Sequence, residues 1–91
     1  MTFNREVSKS ELENRRKRSI NSRIVMIGYS GVLHRKEELA RDLGVDVADF
    51  LHLLGKVCAD HYQRTNAQHW FNRGRECSLR AFELQGYNKD D

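Results

Sequence analysis

A chain of 91 residues, 38% hydrophobic and 32% charged, has the make-up of one small globular domain near the lower size limit for a self-sufficient core, and it is too apolar for full disorder. No run approaches the ~20 apolar residues that span a bilayer, and Met1 to Ser10 lacks the apolar core of a signal peptide, which points to a cytoplasmic protein without a membrane partner. The net charge of +3 is split: residues 1–36 hold nine Lys or Arg against three Glu, whereas residues 37–91 hold seven against ten acidic residues.

Residues 1–9 have no periodicity and read as a flexible N-terminal segment. Ser10 and Glu13 have the spacing of a capping box, which predicts the start of a first helix. Its apolar stripe is Leu12, Ile20, Ile24 and Ile27. The basic cluster Arg15, Arg16, Lys17, Arg18 and Arg23 falls on the same segment and suits either phosphate neutralisation or a solvated face. The β-branched run Ile24–Ile27 has a competing strand reading, but no second strand-like run exists to pair with it. Gly28-Tyr29-Ser30-Gly31 then reads as a turn.

A second, short helix is expected from about His34 to Leu43, with Leu39, Ala40 and Leu43 inward and Arg35, Lys36, Glu37, Glu38 and Arg41 outward. The glycine-marked turn Leu43-Gly44-Val45 leads to a third helix capped by Asp46, whose carboxylate can accept the orphan amide of Asp49. Val47, Phe50, Leu51, Leu54, Val57, Cys58 and His61 or Tyr62 recur in steps of three and four over more than four turns. This is the strongest periodic signal in the chain, and Leu53 broadens the stripe. The third helix is therefore the expected spine of the fold.

A fourth helix, capped by Thr65 or Asn66 and ending before Gly86, places Ala67, Trp70, Phe71, Gly74, Cys77, Ala81, Phe82 and Leu84 inward. A mid-helix glycine costs about 1 kcal/mol relative to alanine, so Gly74 implies close approach of another helix. Residues 87–91 form a polar tail. The expected architecture is all-α: a single domain over residues 10–86, four helices (three long, one short), with a helix-turn-helix-like centre.

No catalytic arrangement stands out. His34, His52, His61 and His69 are scattered, and no Ser, Cys or carboxylate pair has nucleophile or acid–base spacing. Cys58, His61, His69 and Cys77 are zinc-type ligands, but their spacing matches no common finger and both cysteines fall on apolar stripes. Neither a metal nor a cofactor is expected, and the absence of a secretion signal argues against a disulfide.

The run Glu38-Leu39-Ala40-Arg41-Asp42-Leu43-Gly44-Val45-Asp46-Val47-Ala48-Asp49-Phe50 resembles the helical region 3 of bacterial sigma factors, especially the flagellar type, and the wider repressor-type helix-turn-helix. In that pattern Ala40 and Gly44 occupy the small positions, and Val45, Phe50 and Leu53 the packing positions. The resemblance implies two packed helices and a transcription setting; size and composition are similar to those of small regulators from phages and mobile elements.

Two functions follow. In the favoured one, a non-enzymatic, antirepressor-like regulator binds a protein partner, a repressor or transcription component, through Asp42, Asp46, Asp49, His52 and Lys56. An acidic helix tip complements the basic DNA-reading surface of such a partner. In the alternative, the helix-turn-helix binds DNA, with Arg15, Arg16, Lys17, Arg18, Arg23, Arg35, Lys36 and Arg41 on phosphates. Against it, the start of the third helix carries no Arg, Lys, Asn or Gln to read bases, and its aspartates approach phosphate without nearby compensation. So small a core also suggests a homo-oligomer.

Overall fold

In the computed structural model, which describes residues 8–86, the chain folds into four α-helices: α1 (Lys9–His34), α2 (Lys36–Leu43), α3 (Val47–Thr65) and α4 (Gln68–Leu84). The all-α class, the single packed unit and the one short helix are as expected. The expected flexible segment 1–9, apart from Ser8 and Lys9, and the tail 87–91 lie outside the described residues.

Helix α1 starts earlier than Ser10. Ser8 is the N-cap: its hydroxyl accepts from the Glu11 amide at 3.2 Å, and the Glu11 carboxylate accepts from the Ser8 amide at 3.4 Å. Both Ser8/Glu11 and Ser10/Glu13 have capping-box spacing. The first is the one formed, and Glu13 instead pairs with Lys56 of α3 at 3.0 Å. The expected stripe is also corrected: Ile20 is buried and Ile24 half-buried, but Leu12 and Ile27 are exposed.

The expected turn at Gly28–Gly31 is a kink instead. Only Gly28 leaves the helix, at φ 83° and ψ 163°, a conformation open to glycine and costly for other residues. Helical geometry resumes at once, so that Tyr29 and Val32 turn inward and join the core. A single residue, Arg35, then separates α1 from α2. Gly44, in the left-handed region at φ 75°, ends α2, and the Val45 amide returns to the Ala40 carbonyl at 3.0 Å.

Asp46 caps α3 as expected, its Oδ1 accepting from the Asp49 amide at 2.8 Å. Ala48, Phe50, Leu51, Leu53, Leu54, Gly55, Val57 and Cys58 are all buried, so α3 is covered over most of its circumference. Burying each large aliphatic or aromatic side chain contributes about 1.5–3 kcal/mol. The core is completed by Ile20, Tyr29 and Val32 of α1, Leu39 and Ala40 of α2, and Cys77 and Ala81 of α4.

Helices α3 and α4 form an antiparallel hairpin. Its cap is not the expected one: Thr65 ends α3, and Ala67 occupies the N-cap of α4 without a side-chain bond. The Thr65 hydroxyl is already used, donating to the His61 carbonyl and accepting from the Ala67 amide. Gly74 does lie at a close crossing, facing Gly55 of α3. Of the expected inward residues of α4, Cys77 and Ala81 are fully buried, whereas Phe71, Phe82 and Leu84 are exposed. Phe71 and Phe82 lie at the edges of the hairpin, where their rings meet Tyr62 at 5.4 Å and His52 at 5.7 Å of α3 and stay partly open to solvent.

Candidate functional site

The α2–α3 junction is the expected helix-turn-helix tip. Asp42, Asp46 and Asp49 are exposed there, grouped by the short turn and the Asp46 cap. His52 and Lys56, expected to join them, are engaged within the chain. His52 Nε2 lies 3.4 Å from Gln85 Oε1 and its ring meets the Phe82 ring edge-on at 5.7 Å. Lys56 Nζ pairs with Glu13. The structure therefore splits the predicted set into three exposed carboxylates and two side chains already partnered by α1 and α4.

The basic set is likewise divided. Lys17 Nζ is paired with Asp60 of α3 at 3.1 Å, and Lys36 lies 3.9 Å from its neighbour Glu37. Arg15, Arg18, Arg23, Arg35 and Arg41 are exposed, Arg16 is half-buried, and none forms an ion pair with a described residue. Arg15, Arg18, Ser22, Val25 and Met26 follow helical spacing and are all exposed, which places them on the outward face of α1. Val25 and Met26 are 87% and 72% exposed, an apolar end to a basic face.

Two arginines of α1 border the tip without pairing with its aspartates. Arg16 lines one surface depression with Asp49, His52 and Lys56, and Arg23 lines another with Asp42 and Phe50. The two arginines are far from the tip in sequence, and the crossing of α1 over the α2–α3 unit brings them beside it.

No family model, curated protein or solved structure matches the chain.

Sequence reasoning missed a polar cluster inside the fold. Tyr29 Oη lies 3.3 Å from Cys77 Sγ, 3.3 Å from Glu76 Oε1 and 3.4 Å from the Arg73 carbonyl oxygen. The Arg73 guanidinium sits over both the Tyr29 ring, at 4.7 Å, and the Trp70 ring, at 4.9 Å. Burial, reinforced by the bond to Cys77, pushes the Tyr29 hydroxyl far above its ordinary pKa. The hydrogen bond to Cys77, together with burial, does the same to the Cys58 thiol. Such a thiol is protonated and lacks the thiolate character of reactive cysteines. Because Tyr29 looked like a turn residue, no periodic signal pointed to this cluster.

The zinc-type residues do not converge. Cys58 and Cys77 are both buried and adjacent, with free thiols. His61, however, turns away: its Nε2 lies 2.7 Å from Asn21 Oδ1, and its ring stacks on Trp70 at 4.3 Å. His69 is exposed. Among the described residues no three His, Cys, Asp or Glu side chains gather as a metal-binding group, and no helix is long and apolar enough to cross a membrane.

Proposed function

We propose that the chain is a small non-enzymatic transcription regulator that binds a protein, a DNA-binding repressor or another transcription component, in the manner of an antirepressor. The observation that carries this reading is the enclosure of α3. In a DNA-reading helix-turn-helix the second helix lies in the major groove with side chains free to reach base edges. Here eight residues between Ala48 and Cys58 are buried, and His52 and Lys56 are held by α4 and α1. The unit works as a packing core, with an exposed acidic tip of Asp42, Asp46 and Asp49. Exposed carboxylates favour the cationic surface of a DNA-binding protein over a phosphate backbone.

The test pairs two titrations. The purified chain is added to labelled genomic DNA at about 50 and about 200 mM salt, and to DNA-binding domains of helix-turn-helix repressors bound to their operators. The expected result is displacement of a repressor from its operator, lost on changing Asp42, Asp46 and Asp49 together to Lys. Specific nanomolar DNA binding that survives Arg15, Arg16, Lys17 and Arg18 changed to Ala would overturn the reading.

A second reading rests on a separate observation, the outward Arg15 and Arg18, which have no ion-pair partner among the described residues. On that reading α1 contacts nucleic-acid phosphates. Affinity then falls steeply with salt and shows little sequence preference, and each arginine removed lowers the salt slope by about 1.

A further inference from the structure

The side of α4 turned away from α3 carries one large apolar residue in the open, Leu79, 53% exposed. The charges around Leu79 follow a pattern. Glu76 and Arg80 neutralise each other within the helix at 2.9 Å. Arg75 and Glu83, each four residues from Leu79 in opposite directions, are exposed and form no ion pair or side-chain hydrogen bond with any described residue. Asn72, Arg75, Glu76, Leu79, Arg80 and Glu83 share one shallow depression on this side.

An isologous contact requires one surface to complement itself under a two-fold rotation. For two antiparallel helices, rotation about a given residue sets position +4 of one copy at the height of position −4 of the other. With the axis at Leu79, Arg75 of each copy comes level with Glu83 of the other, twice by symmetry, and the two Leu79 side chains meet at the centre. Opposite charges at ±4 around an apolar residue are what such a pairing needs; two like charges would oppose it. Residues 74–84 of both helices then overlap, about three turns.

We infer that this face of α4 is a homodimer interface in which two copies pack antiparallel about Leu79, with reciprocal Arg75–Glu83 pairs across it. The contact is independent of the transcription reading above. It leaves the acidic tip and the outer face of α1 on other surfaces of each subunit.

The test measures mass in solution by analytical ultracentrifugation across a concentration series, with circular dichroism confirming the helix content of every variant. The wild-type chain is expected to move from 10.7 kDa toward twice that mass as concentration rises. Leu79→Asp abolishes the shift. Arg75→Glu and Glu83→Arg each set like charges opposite one another and weaken association at least tenfold, while the double reversal restores it to within about threefold of wild type. A chain that stays monomeric throughout the series overturns the inference. So does a dimer that persists in Leu79→Asp with unchanged helix content, or a double reversal that stays as weak as the singles.

Discussion

Gly74 approaches Gly55 so closely that a Cβ on Gly74 would stand 3.3 Å from the Gly55 carbonyl oxygen and 3.4 Å from Cys58 Cβ. A Cβ on Gly55 would meet only ordinary contacts, 3.4 Å to the Gly74 carbonyl oxygen and 3.5 Å to Ser78 Oγ. The crossing is therefore asymmetric, with Gly74 the tighter side. Replacing either glycine by alanine gains about 1 kcal/mol of helix propensity. Gly55→Ala is expected to keep that gain and raise the melting temperature. Gly74→Ala loses it against a backbone oxygen that cannot swing away, and falls below Gly55→Ala. Gly74→Leu overpacks the crossing and costs about 1–3 kcal/mol or more. Thermal melts of the three variants check the order, and a Gly74→Ala variant more stable than Gly55→Ala contradicts it.

His61 is expected to make the fold less stable in mild acid. Burial lowers its pKa from 6.5, the neighbouring Arg64 lowers it further, and Asp60 opposes them. Arg64 Nη2 donates to Nδ1 at 2.9 Å, which requires the neutral ring with its proton on Nε2, facing Asn21 Oδ1. The unfolded chain thus takes up this proton more readily than the folded one. The stability contributed by His61 is complete above about pH 6.5 and is lost as pH falls through the lower folded value. Melting temperature should decline between pH 7.5 and 5, and His61→Gln should flatten part of that decline. An equal slope in the variant excludes His61 as the titrating group.

The Asp46 cap separates fold from charge. Asp46→Ala removes the bond to the Asp49 amide and is expected to cost about 1 kcal/mol, as helix N-caps typically do. Asp46→Asn keeps an acceptor oxygen while removing the negative charge, so stability stays near wild type. If partner binding depends on the acidic tip, Asp46→Asn weakens it in a chain that melts normally. Equal melting temperatures for Asp46→Ala and wild type would show that the cap contributes nothing measurable.

The hydrogen bond with Cys77 and burial push the Cys58 thiol up, whereas the bonds with Cys58 and Tyr29 pull the Cys77 thiol down against its burial. Both cysteines are fully buried beside Tyr29. An aromatic disulfide reagent such as Ellman's should therefore react with neither in the native protein and with two equivalents in denaturant. Tyr29→Phe removes the hydroxyl from beside Cys77, and with it the one proton that the Glu76 carboxylate or the Arg73 carbonyl can accept. It should speed native labelling by loosening the kinked end of α1 from the hairpin. Rapid native labelling of the wild-type chain would contradict the packed cluster.

How much was legible follows from the range of each interaction. The Asp46 cap, the Gly44 turn and the stripe from Val47 to Cys58 are written in residues one to four positions apart, so their reading needed no tertiary information. Gly74 was also legible, because a mid-helix glycine is unfavourable unless something approaches it. The start of α1 lies two residues before the one read from Ser10 and Glu13, because Ser8 and Glu11 have the same spacing and form the box, while Glu13 pairs with Lys56 across the fold. In the candidate site, the exposure of Asp42, Asp46 and Asp49 was readable from the turn. The capture of His52 and Lys56, and the approach of Arg16 and Arg23, depend on helices distant in the chain.

The sequence by itself determined an all-α chain with α3 as its spine, because helical periodicity and capping are local and α3 carries apolar residues on nearly every side. Tertiary structure alone decided which faces are covered. It turned Tyr29 inward through one glycine kink, set α1 across α2 and α3, and left Leu79 exposed on the side of α4 away from α3. An amphipathic stripe specifies that a face seeks cover but not which element supplies it; that depends on how several helices share a limited apolar surface.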